Sequence, residues 1–125
     1  MDPRPLLRRI PAAALTLLAA NALAATSALA ADAPPFAGAW TVDPAYCKIS
    51  QESEFAPMVM TATGYDHHEL HCTFTSLKAE GGAYTAAATC LAAGKKLEDA
   101  FIFLVAGDVM TLKRGALVRR FMRCK

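Results

Sequence analysis

Cys47, Cys72, Cys90 and Cys124 are the only cysteines in this 125-residue chain, and all four follow an N-terminal stretch that reads as an export signal. An even cysteine count in a short exported chain predicts two disulfides. The fold must therefore be a small frame in which four chain positions meet in two pairs. The export reading rests on Arg4, Arg8 and Arg9 ahead of an apolar run, Ile10 to Leu29, closing on Ala28-Leu29-Ala30. A basic start, an apolar middle and a small-residue end are the parts of a secretory signal peptide. The run is long enough to span a bilayer. Its Thr16, Asn21, Thr26, Ser27 and many alanines make it weakly hydrophobic, however, so removal is expected, with no membrane span afterwards. Residues 1–30 are thus assigned to the signal, 31–35 to a Pro-rich extended arm, and 36–125 to a single disulfide-stapled β-domain in a periplasmic or secreted protein.

Removing Asp2, Arg4, Arg8 and Arg9 from 13 basic and 11 acidic residues leaves ten of each sign. That neutrality, with only Phe121 among the C-terminal basic residues to act as a stacking platform, excludes nucleic acid as a partner. The charges are unevenly spread. Six acids and one base, Lys48, fall between Asp32 and Glu69, whereas Lys113 to Lys125 holds six bases and no acid. A chain of about 95 residues buries a thin core, and each disulfide then contributes about 2–4 kcal/mol.

From Phe36 onward, short β-rich runs alternate with turns, and no stretch has the period of an amphipathic helix. Phe101 to Ala106 and Val109 to Lys113 flank Gly107-Asp108, a two-residue hairpin signal. That turn sets Val105 against Met110 and Phe103 against Leu112, with Phe101 on the same core face. A second hairpin joins Glu69 to Leu77 with Tyr84 to Leu91 through Lys78 to Gly82. Centred on Gly81, it places Cys72 opposite Cys90, leaving Cys47 for Cys124, one of three connectivities open to four cysteines. Further strands are expected at Phe36 to Val42, Met58 to Thr63, Leu117 to Cys124 and around Cys47. Loops are expected at Glu52 to Pro57 and Gly64 to His68. The fold class is all-β: a small antiparallel barrel or sandwich of six to eight strands with two disulfides.

Gly38-Ala39-Trp40, opening the first expected strand, resembles the Gly-x-Trp start of the calycin barrels, which include lipocalins and small secreted metalloprotease inhibitors. The resemblance implies that Trp40 closes the barrel floor under a basic side chain of the last strand, where Arg119, Arg120 and Arg123 lie. Alternation in that strand groups Arg120 with Val118, Met122 and Cys124, and selects Arg120 as the inward one. The chain's length suits the inhibitor-sized members. In those an N-terminal trunk enters the protease cleft, and Ala31-Asp32-Ala33-Pro34-Pro35 resembles such a trunk.

All three histidines lie in Asp66-His67-His68-Glu69-Leu70-His71-Cys72. On one extended strand His67, Glu69 and His71 would project to the same side. The zincin spacing is missing and Cys72 is expected to be oxidised, so His67 and His71 are weak metal candidates and no metal or other cofactor is expected. Ser50, Ser53 and Ser76 lie in no nucleophile elbow, and Glu52, Glu54, Glu98 and Asp99 show no pairing across a cleft. The expectation is a non-catalytic binding module that acts on an unknown protein or envelope component. One form is an inhibitor of a secreted hydrolase, working through the Ala31 to Pro35 arm, with Ala31 and Asp32 at its tip, or through the loops at Glu52 to Pro57 and Gly64 to His68. The alternative is an envelope-associated structural protein that holds anionic glycans or lipids on a basic strip of Lys113, Arg114, Arg119 and Arg123. A small-ligand carrier ranks third, because so short a chain leaves little room for a cavity. The expected state is a monomer or an edge-paired dimer.

Overall fold

The computed structural model describes residues 33–125. Eight antiparallel strands follow one another in chain order: β1 (Gly38–Thr41), β2 (Met58–Thr61), β3 (Gly64–His67), β4 (Leu70–Glu80), β5 (Ala83–Ala92), β6 (Lys95–Ala106), β7 (Val109–Arg114) and β8 (Leu117–Arg123). Each pairs with the next, and β8 pairs back onto β1, so the sheet closes into an up-and-down barrel. The expected signal segment, with Ala31 and Asp32 of the arm, lies outside the described residues. Among the described residues no helix is long and apolar enough to cross a membrane.

Both expected hairpins are present. In β6 and β7, Phe103 faces Leu112 and Val105 faces Met110, and Phe101, Phe103, Met110 and Leu112 are buried. In β4 and β5, Cys72 faces Cys90, and the two are bonded, as are Cys47 and Cys124. The turn itself is Gly81-Gly82, both at positive φ, so the pairing beside it is offset by one residue from that of a loop centred on Gly81 alone. A two-residue turn of that kind needs positive φ twice, which glycine adopts without a Cβ clash. A bulge at Thr75, between Phe74 and Ser76, absorbs the one-residue offset. It also changes the alternation, so that Cys72 and Phe74 face inward before it and Leu77 after it.

One end of the barrel is filled with rings. Phe36 meets Phe103 and Tyr84 edge-on at 5.2 and 5.0 Å, and Tyr84 stacks on Phe103 at 4.9 Å. Ala86 and Ala88 of β5 are buried, and their small side chains leave room for the rings, as small barrels require. Gly64 solves a different problem. A Cβ there would lie 2.0 Å from the Cys72 carbonyl oxygen, so only glycine lets β3 approach β4.

Four expectations are corrected. The chain around Cys47 is not a strand: Asp43 accepts a hydrogen bond from Ala45 N, Pro44 presets the first turn, and Pro44–Tyr46 forms a short 3-10 helix. Gly64–His67 is a strand rather than loop, with β4 starting two residues later. Strand β6 begins at Lys95, because Ala93-Gly94 turns the chain with both residues at positive φ. In β8 the faces are reversed: Arg119 and Phe121 stand opposite the inward Leu112 and Met110. Val118, Arg120 and Met122 therefore point outward. The closed sheet has no full-length edge strand. Only partial edges remain, at β4 beyond Phe74 and at Leu117 to Phe121 of β8.

Candidate binding site

Strand β1 ends at Thr41, opposite Met122, whereas β8 continues to Leu117 with only β7 beside it. The connection from β1 to β2, residues 42–57, passes this unpaired half of β8. Cys47–Cys124 anchors it at one point, and Gln51 at another. Gln51 donates to Pro57 O, accepts from His68 N at 2.8 Å, and meets His68 Nδ1 through its own carbonyl. These contacts hold His68 at its φ of 56°.

Between the short β1, the overhanging β8 and this connection lies a cavity of about 630 Å³. Its inner lining is apolar: Trp40, Met58, Tyr65, Leu112 and Phe121. Val42, Phe55 and Leu117 stand at its mouth, 49, 53 and 47% exposed, where large apolar side chains would otherwise be covered. The expectation of little room for a ligand therefore does not hold at this end. The volume falls within the range of small-molecule sites, about 300–1,000 Å³.

Charged and polar groups surround the apolar lining: Arg114, Arg119 and Glu54, with the His67 imidazole. Arg114 is already engaged. Its Nε and Nη2 donate to the two carboxylate oxygens of Asp99, each at 2.8 Å, and its guanidinium sits 5.4 Å from the centre of the Phe101 ring. The Tyr65 hydroxyl donates to the same carboxylate and lies 3.6 Å from Cys90 Sγ. Burial resists ionisation of Asp99, but hydrogen bonds from Arg114 and Tyr65 outweigh it and hold the carboxyl below the usual range. Burial and then Asp99 push the Tyr65 phenol far up. Burial opposes the Arg114 charge, and Asp99 more than restores it. Tyr65 thus stays protonated and Arg114 stays paired. Arg119 and Glu54, by contrast, form no ion pair among the described residues, so each presents an uncommitted charge.

No protein-family model, curated protein or solved structure matches the chain. The site therefore has to be interpreted from its own residues.

Arg123, expected in a basic strip, is bound within the fold. Its guanidinium lies 4.3 Å from the Trp40 ring centre and donates to Ala37 O at 2.7 Å and Pro35 O at 2.6 Å. Asp108 sits 3.4 Å from its Nε. Trp40 in turn donates to Phe36 O at 2.8 Å. The arginine over the tryptophan is therefore Arg123 and not Arg120. The remaining members of the strip diverge, with Arg114 and Arg119 lining the cavity and Lys113 on the outer wall.

His67 and His71 do not converge. His67 lines the cavity, whereas His71 lies on the outer wall with its Nδ1 2.7 Å from Asp66 Oδ1. The turn after His67 reverses the chain, so the two lie on neighbouring strands and opposite faces instead of one side of one strand. Phe55 and Tyr65 fall within the segments Glu52 to Pro57 and Gly64 to His68 that the sequence offered as binding loops, whereas Tyr46, Met58 and Phe121 were missed as site residues. Only the burst of apolar residues at Phe55 to Met60 gave a hint, and it reads equally well as core.

Proposed function

We propose that this chain is an exported, non-catalytic binding protein, periplasmic or secreted, whose site is the cavity between β1, β8 and residues 42–57. The observation that carries this reading is an apolar lining beneath a charged rim where β8 overhangs β1. Such a site suits a small amphipathic molecule, with its apolar part inside and its polar part at the rim. The two disulfides support a compartment in which thiols are oxidised. Trp40, also over Arg123, supports the resemblance to calycin barrels.

The test is native and denatured mass of the protein purified from its export compartment without reductant. A chain starting at Ala31, four hydrogens light, with an adduct lost on denaturation, is the expected result. A bare chain that also fails to take up an apolar fluorescent probe would refute the reading.

A protein partner is the second reading, because the root of the arm is fixed. Ala37 N donates to Pro34 O, and Arg123 holds Pro35 O. An inhibitor that uses residues 31–33 should lose its effect when they are deleted, and full potency would exclude that mode. Binding to anionic glycans or lipids would rest on the outward Lys113 and Arg120. It should weaken with salt, and salt-independent binding would exclude it.

A further inference from the structure

We propose that the ligand of this cavity is a single-chain zwitterionic amphiphile. Its cationic group lies against Glu54 and the Tyr46–Phe55 ring pair, its anionic group on Arg119, and its chain over Met58, Leu112 and Phe121. The inference rests on the reading of the cavity as the binding site, and adds the chemistry of the ligand.

Three observations lead to it. First, Asp99 neutralises Arg114 through two hydrogen bonds, so the free charges at the rim are one of each sign, Arg119 and Glu54. A purely anionic amphiphile satisfies Arg119 but brings its charge near Glu54, and a purely cationic one has the reverse problem. A molecule carrying both charges leaves neither side chain facing a like charge. Second, the acidic side chain and the rings come from the same connection: Phe55 follows Glu54 directly, and its ring centre lies 5.6 Å from that of Tyr46. Aromatic faces beside a carboxylate attract quaternary ammonium groups. Arginine, with its forked donors, suits phosphate or carboxylate oxygens. Third, the exposed Val42 and Leu117 extend the apolar lining out to the mouth, so a flexible chain has continuous surface from inside to rim.

The experiment compares four ligands with the same dodecyl chain and different heads, each below its micelle-forming concentration: phosphocholine, phosphate, trimethylammonium and maltoside. Trp40, the sole tryptophan, reports binding by fluorescence, and calorimetry checks it. The phosphocholine ligand should bind about tenfold tighter than the other three. Arg119→Gln should weaken the phosphocholine ligand and strengthen the trimethylammonium one. Glu54→Gln should weaken the phosphocholine ligand and strengthen the phosphate. Both side chains are outside the core, so the variants should unfold like the parent. Equal binding of all four ligands, or tightest binding of a singly charged one, would overturn the head-group inference while leaving the cavity as the site. No binding by any of them would overturn both.

Discussion

The seam between β1 and β8 is the point at which the barrel closes, and it is the shortest pairing in the sheet, with Trp40 opposite Arg123 and Thr41 opposite Met122. Replacing Arg123 with leucine tests what holds it. The guanidinium stack on buried Trp40 is worth about 1 kcal/mol. The charge-assisted bond to the half-buried Ala37 carbonyl adds about 1.5 kcal/mol. The bond to the exposed Pro35 carbonyl adds about 0.5, because water can substitute there. The exposed Asp108 contributes little across water. Arg123→Leu should therefore lose about 3 kcal/mol, lowering the Tm by about 12–24 °C for a domain of this size. Arg123→Lys keeps the charge but cannot hold both carbonyls and the ring together, and should lose about two-thirds as much. Thermal and urea unfolding followed by Trp40 fluorescence measure both. A loss under about 0.5 kcal/mol for Arg123→Leu would refute the argument that this side chain closes the barrel, and would leave Cys47–Cys124 as the closure.

Cys47–Cys124 closes 77 residues and Cys72–Cys90 closes 18. On chain entropy, removing the first by a double Cys→Ala change should cost about 4.5 kcal/mol and the second about 3; the reverse order in urea unfolding would show that native contacts and not loop length set the difference. Gly64→Ala should prevent stable closure of β3 on β4, because the new Cβ meets backbone and not a side chain that can move. Wild-type melting of that variant would mean β3 and β4 can separate at little cost. The folded pKa of Asp99 lies below its unfolded value. The stability it confers is therefore complete above the ordinary aspartate range and is lost as pH falls through the folded pKa. The deficit of Asp99→Asn relative to wild type should be full near neutral pH and shrink in acid, and a pH-independent deficit would contradict the carboxylate's role.

The elements legible in the sequence share one property: their information is local. Gly107-Asp108 fixes its own hairpin, and the alternation on either side of it fixes the core face. The Cys72–Cys90 pairing could be found from the distance to the turn, although two deviations cancelled, a two-residue turn that offsets the pairing by one residue and a bulge at Thr75 that restores the register. Elements that depend on residues far apart were not legible. The face of β8 is set by its pairing with β7 and β1, not by its own composition, since arginine occurs on both faces. Tyr65, Asp99 and Arg114 sit on three different strands, and nothing near any of them in the chain announces the other two.

The cavity beside β8 belongs to the second kind. Its existence follows from a mismatch of lengths, four residues in β1 against seven in β8, which leaves part of β8 without a neighbour and admits residues 42–57 as a wall. A longer β1 would pair Arg119 and Leu117 and close the opening. The same mismatch explains why the seam needs both Arg123 and Cys47–Cys124: a strand short enough to open a site at one end has few backbone bonds left to close the barrel at the other. Opening and closure are thus opposed uses of one strand, and neither stabilising device fills the site: Arg123 stacks on Trp40, whose ring lines it, and Cys47–Cys124 ties down the connection that walls it.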